Sequence, residues 1–514
     1  MTAALAGTLA VTGCGTEAAH RRAEPESAPQ ARTSPPAAAV TVLADETAGA
    51  LALAVSQQLY DHAPVVVLAA EDDPDSQSLA ADRARALGVP LLLTPAAGDD
   101  RAGDEGGDEG GDGGQGADGE AIRSELARLA TETVLSVGAA AQRWAERAAG
   151  PEVVPDDGAD AAPTPPAVSP PAPLATLTVL SDGEPHTRAA AATAAASGAR
   201  VLVTSATDPR ADPELITALA TDPPTHTLAL GARFGPADRL ERRLAVAMTG
   251  VQLPGGGQVL FPGRRIVALY GHPGDAVLGS LGEQSRSATI TRAEQVAAAY
   301  QPLVDEPVVP ALEIITTIAS ASPGPLGDYS RRTPVSELRG WVDAAAEAGL
   351  YVVLDLQPGH TDFLTQAKEY EELLVEPHVG LALDPEWRLA PGQRHMVNIG
   401  SVAADEVNQV VAWLADLTAE HRLPQKLLIL HQFQLRMITD RVSVDTGRDE
   451  VAVLIHADGF GTRGQKLDTW QALHTDPPPG VWWGWKNFYD EDQPTFTPDQ
   501  TVAVEPSPVF ISYQ

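Results

Sequence analysis

Ionisable residues sit at the ends of short apolar runs in the C-terminal half of the chain. They are Asp355, Asp384, Glu386, His431, His456, Asp458 and Lys486, with Tyr270, His272 and Asp275 after the first run. Paired carboxylates can divide the work of glycoside hydrolysis, one as proton donor and the other as nucleophile, base or charge stabiliser. A strand points alternate residues to opposite faces. Asp384 therefore shares a face with Gly380 and Ala382, and Glu386 continues it. Burial and a neighbouring like charge both raise a carboxyl pKa, as a proton donor requires. Asp355 pairs in the same way with Gln357, and His456 with Asp458. Burying so many polar groups without a role costs free energy.

The runs that must position these groups are residues 266–270 (IVALY), 311–318, 351–356, 379–384, 426–432, 451–458, 481–487 and 508–514. Helix-like stretches separate them. Eight strand–helix repeats over residues 264–514 predict a (β/α)₈ barrel, whose chemistry gathers at the C-terminal ends of the strands. An enzyme, or a former enzyme, is the first expectation.

The segment Asp384-Pro385-Glu386 resembles the Asp-x-Glu on the fourth strand of barrel lysozymes of glycoside hydrolase family 25 and of family 18 chitinases. The resemblance implies Glu386 as proton donor, with Asp384 orienting it or stabilising positive charge. As strand-end acids, Asp355 and Asp458 are expected to complete the site. Three of the eight tryptophans, Trp482, Trp483 and Trp485, fall in the seventh run. Tryptophan can stack on the apolar face of a sugar. Trp483, Trp485 and Trp387 are therefore expected in substrate binding, with Tyr270, His272, His431, His456 and Lys486. The stretch from Tyr270 onward also resembles a barrel found in secreted actinobacterial proteins of unassigned activity.

Upstream, two α/β units are expected at residues 39–149 and 174–250, joined by a Pro-rich linker at 150–173. Residues 177–183 (LTVLSDG) echo 41–47 (TVLADET), 198–205 echo 88–95, and 225–244 echo 131–148, the mark of an internal repeat. Residues 63–95 (APVVVLAAEDDPDSQSLAADRARALGVPLLLTP) resemble the bacterial cell-wall-binding repeat 2 family, which implies attachment to a wall polymer. A Gly- and acid-rich insert at 98–120 lacks the apolar residues to fold and the ligand order of a Ca²⁺ loop.

At the start, Val11-Thr12-Gly13-Cys14 resembles a bacterial lipobox, with residues 15–38 as a polar tether. Cys14, the only cysteine, is then the lipidation site, and the expected location is the outer face of the membrane or the wall, held through a lipid anchor alone. No run approaches the roughly 20 apolar residues of a spanning helix. With 35 Lys plus Arg against 69 Asp plus Glu, the net charge of -34 opposes nucleic-acid partners. Residues 253–257 and 459–464 lack the spacing of a phosphate or nucleotide loop, and no cofactor or metal is expected.

Three functions stay open from sequence. The first is a glycoside hydrolase acting on wall or extracellular polysaccharide. The second is a non-catalytic carbohydrate-binding lipoprotein. The third is a metal-dependent hydrolase using His272, Asp275, His431, His456 and Asp458.

Overall fold

A computed structural model describes residues 28–96, 119–148, 150–156 and 167–514. Cys14, most of the expected tether and most of the acidic insert lie outside the described residues. The chain divides into two units, the first formed mainly by residues 47–174 and the second mainly by residues 199–514 together with 35–46 and 175–191.

The first unit holds a four-stranded parallel sheet in the order Leu91–Thr94, Val65–Ala70, Thr133–Val137, Glu152–Asp156. Every residue of Val65–Ala70 is buried, as its unbroken apolar run requires between two covered faces. Helix Pro74–Leu87 starts at the Asp73 cap and stops at Gly88, whose φ of 70° suits the left-handed turn.

The second unit carries a matching parallel sheet, in the order Val40–Leu43, His226–Leu230, Leu177–Ser181, Arg200–Val203. Two expectations change here. Val40–Leu43, read as the opening strand of the first unit, pairs with His226–Leu230 of the second sheet. Glu152–Asp156, read as linker, is the edge strand of the first sheet. The structural counterpart of Leu177–Ser181 is therefore Val65–Ala70, because each is flanked by the other two echoed segments. The local sequence match to TVLADET hid this, since parallel strands of buried sheets share one apolar composition.

Residues 265–513 close into the expected barrel. Its strands are β1 (Arg265–Gly271), β2 (Val308–Ala319), β3 (Tyr351–Leu356), β4 (Val379–Leu383), β5 (Lys426–Gln432), β6 (Val451–Ala457), β7 (Trp482–Asn487) and β8 (Phe510–Tyr513). Every neighbouring pair is parallel, and β1 pairs with both β2 and β8. Outward residues such as Leu269, Leu354, Leu381 and Leu430 join the surrounding helices in one large core. Inward residues of the N-terminal half, among them Ile266, Ala268, Val353, Ala382, Ile429 and Leu454, form a separate apolar plug. A filled lower barrel leaves only the C-terminal end for chemistry.

The second sheet and the barrel, both in the second unit, are joined by charge. Asp449, just before β6, accepts bonds from Arg243 (3.0 and 3.1 Å) and from Arg239 (2.7 Å to one oxygen) on helix Ala237–Ala247. Burial opposes its charge, but the two guanidinium groups hold Asp449 far below the usual carboxylate range.

Candidate active site

Above the apolar plug, all eight strands send a polar side chain inward: Tyr270, Glu313, Asp355, Asp384, His431, His456, Lys486 and Ser512. Each is at most 3% exposed. Their parity follows from the strands below them. Leu427, Ile429 and His431 face one way on β5, as Ala452, Leu454 and His456 do on β6. Glu386 and Asp458 extend the rows of β4 and β6 upward and are both only partly buried.

His431 is the hub. Its Nε2 lies 2.9 Å from Glu313 Oε1 and its Nδ1 3.0 Å from Asp458 Oδ2. Burial alone would discharge the ring, but Glu313 and Asp458 hold its pKa well above the ordinary value. Burial likewise opposes the charge on Glu313, which His431 pulls down. Lys486 Nζ sits 3.2 Å from Asp458 Oδ1 and 3.6 Å from the centre of the Tyr270 ring. Between Lys486 and His431, Asp458 titrates well below the usual carboxylate range despite its burial.

The other carboxyls move the opposite way. Burial, opposed by His431, raises Asp355 to about 6; its Oδ2 accepts a 2.9 Å bond from the Tyr270 hydroxyl. Asp384 is pushed well above its normal range by burial, with Asp355, Glu386 and Asp458 adding to the effect against His431. Glu386 is raised to about 7 by burial and by Asp458, against Lys486 and His431. Asp384 Oδ1 also accepts the Glu386 backbone N–H at 3.1 Å, opening the 3₁₀ turn Pro385–Trp387 that lifts Glu386 above the strand end. On β6, burial drops His456 to about 3; its Nε2 meets Ser512 Oγ at 3.2 Å. Buried groups stay charged only when paired, as His431 is with Glu313 and Asp458, and Lys486 with Asp458.

Of the residues expected in the site, Tyr270, Asp355, Asp384, Glu386, His431, His456, Asp458 and Lys486 come together. Four do not. His272 is held in the loop after β1, with Nε2 3.1 Å from Thr333 Oγ1 and Nδ1 accepting the Gly274 N–H. Trp387 leans on His395, ring centres 4.7 Å apart, in the loop after β4. Trp483 and Trp485 point out of the barrel. Trp483 stacks on His474 at 3.7 Å, and Trp485 is buried against Trp470 and Phe496. The inward residues of β7 are Trp482, which packs with Phe261 near the plug, then Gly484 and Lys486. A Cβ at Gly484 would fall 2.9 Å from His456 and from Leu454, so any side chain there would force these neighbours to shift.

Glu313 and Ser512 were missed. Glu313 is the only charged residue of the twelve-residue β2, and register pairs it with Tyr270. It lies mid-strand, below the strand ends where ionisable groups were sought.

No family model matches the chain, and no curated protein matches it. Among solved structures, Xanthomonas albilineans dihydropteroate synthase, determined with 4-aminobenzoic acid, aligns over 49% of this chain and 88% of its own. The identity is 12% and the TM-score 0.22. The barrel assignment rests on the strand pairing itself.

Proposed function

We propose that the barrel is a glycoside hydrolase in which Glu386 is the proton donor and Asp458 the ionised partner. One observation carries this: two partly exposed carboxyls above the barrel lie close enough to influence each other, and their surroundings shift them in opposite directions, Glu386 up and Asp458 down. Lys486 and His431 bind Asp458 directly, whereas among the described residues no hydrogen bond is made to the Glu386 carboxylate, and burial favours its neutral form. Environments that split two carboxyls in this way assign acid and base roles.

In the reaction, the Glu386 carboxyl gives its proton to the glycosidic oxygen as the bond to the anomeric carbon breaks. Anionic Asp458 faces the positive charge that develops on the sugar. Water completes hydrolysis, its hydroxyl going to the anomeric carbon and its proton returning to Glu386. Asp384 fixes the Glu386 backbone by accepting its N–H. The arrangement of Asp355 and Tyr270 suits hydrogen bonding at the floor of the subsite.

The substrate class follows from the rest of the chain. The wall-binding-repeat resemblance of residues 63–95 and the lipobox resemblance ending at Cys14 support an exported lipoprotein acting on wall or extracellular polysaccharide. Among the described residues no helix is long and apolar enough to cross a membrane. Release of reducing ends from purified peptidoglycan and from wall polysaccharide tests the activity. The reading predicts turnover by the full chain, lost in Glu386→Gln; no turnover of either polymer would remove it. Retention of Cys14→Ala in the membrane fraction would remove the anchor.

A further inference from the structure

We propose that Glu313, His431 and His456 form a binding site for a divalent cation of the zinc class at the floor of the barrel mouth. The inference stands apart from the sugar chemistry above; it keeps His431 and His456 from the metal-dependent reading of the sequence and brings in Glu313, whereas the leading reading expected no metal.

One potential ligand atom from each of the three residues falls within 4.8 Å of the others, and all three side chains are buried. Two imidazoles and a carboxylate are the donor set that zinc and its neighbours prefer. Ligands at zinc's usual bond lengths stand roughly 3–4 Å apart, so binding needs a side-chain closing on the order of 1 Å.

Proximity alone would not make a site. A separate observation points to a missing electrophile. Of the five buried side-chain polar atoms without a hydrogen-bond partner among the described residues, three lie together here: Glu313 Oε2, His456 Nδ1 (an acceptor when Nε2 carries the ring proton) and, beside them, Asp355 Oδ1. Buried polar atoms are rarely left unmatched, because each forfeits its hydration. Ionised carboxylate oxygens and the lone pair of a neutral imidazole can only accept, so another acceptor cannot satisfy them, while a cation can.

The outer contacts also fit. A metal-binding histidine usually gives its second ring nitrogen's proton to an oxygen acceptor, which fixes the ring. His431 has Asp458 Oδ2 at 3.0 Å from Nδ1, leaving Nε2 toward Glu313. His456 has Ser512 Oγ at 3.2 Å from Nε2, leaving Nδ1 for the ion. The two rings stand 4.9 Å apart, and β5 and β6 hold them in register. Asp458 thereby links the cation to the exposed rim of the mouth.

The test is metal stoichiometry on the full chain, which does not depend on hydrolytic activity. Protein stripped with EDTA is dialysed against Zn²⁺ or Co²⁺ and its metal measured, with Co²⁺ absorption reporting nitrogen ligation. The expected result is one equivalent per chain, with affinity at least ten-fold weaker in both Glu313→Gln and His456→Gln. If either variant fails to fold, Ser512→Ala replaces it, and a several-fold weakening is expected. No bound Zn²⁺ or Co²⁺ in the wild type, or affinity unchanged in the variants, would overturn the site. Hydrolysis that persists without metal leaves the role of Glu386 standing, so the two readings fail separately.

Discussion

The lower and upper halves of the barrel interior are built from the same strands and the same faces, yet they are chemically opposite. On β5, Leu427 and Ile429 belong to the apolar plug, and His431, two residues further on, is the hub of the charged cluster. On β6, Leu454 gives way to His456 in the same step, and on β2 Ala311 gives way to Glu313. The lower layers need only volume and shape, and contribute burial. The upper layer spends part of that stability on desolvated charges that must neutralise one another. A polar floor on all eight strands, with Glu386 and Asp458 above it, is the pattern of a scaffold carrying a site.

Substitutions in the two halves should then separate activity from stability. The largest effect is expected from Glu386→Gln, which keeps shape and neutrality but cannot give up a proton. Turnover should fall by about 10²–10⁴-fold, the usual weight of a general acid, while the thermal midpoint stays near that of the wild type. Next, Ile429→Ala in the plug should cost about 3 kcal/mol of unfolding free energy through the cavity it leaves. The surviving folded fraction should turn over normally, as denaturant unfolding and active-site-normalised rates would show. Away from both halves, Asp449→Asn leaves Arg239 and Arg243 short of their counter-charge and should cost about 2 kcal/mol. Calorimetry would read that loss, and an unchanged midpoint would mean the ion pairs contribute nothing. The smallest effect is assigned to Trp483→Phe. That ring stacks on His474 outside the barrel, so affinity for wall polysaccharide should not change. A binding loss of ten-fold or more would return Trp483 to the substrate side.

The division between the halves was only partly legible in sequence. All eight strands were, because each is a mainly apolar run between helical spacings, and β3 and β5 match their expected limits residue for residue. Strand-end groups were legible too, since a charge after an apolar run has few places to go but the barrel mouth. The facing of β7 was not. WWGWKN offers tryptophans to both sides, and bulk drew the reading toward Trp483 and Trp485. Lys486 held the answer: a charge at the top of a strand belongs with the other charges, so its partners in parity are Gly484 and Trp482. Glu313 escaped for the converse reason, being an acid within an apolar strand whose counter-charge, His431, lies 118 residues away. Pairing of that range is invisible to local pattern. The same holds for Val40–Leu43, whose partner strand is fixed by topology.

The pH dependence of kcat/KM tests the division of roles between Glu386 and Asp458 most directly. Glu386 acts while protonated and is raised to about 7, so the rate should fall as pH climbs through about 7. Asp458 acts while ionised and is held well below the usual carboxylate range, so no loss from its protonation is expected in mildly acidic solution. The predicted profile is a plateau on the acid side and an alkaline limb near 7 that disappears in Glu386→Gln. An alkaline limb that survives unchanged in that variant would contradict Glu386 as the acid.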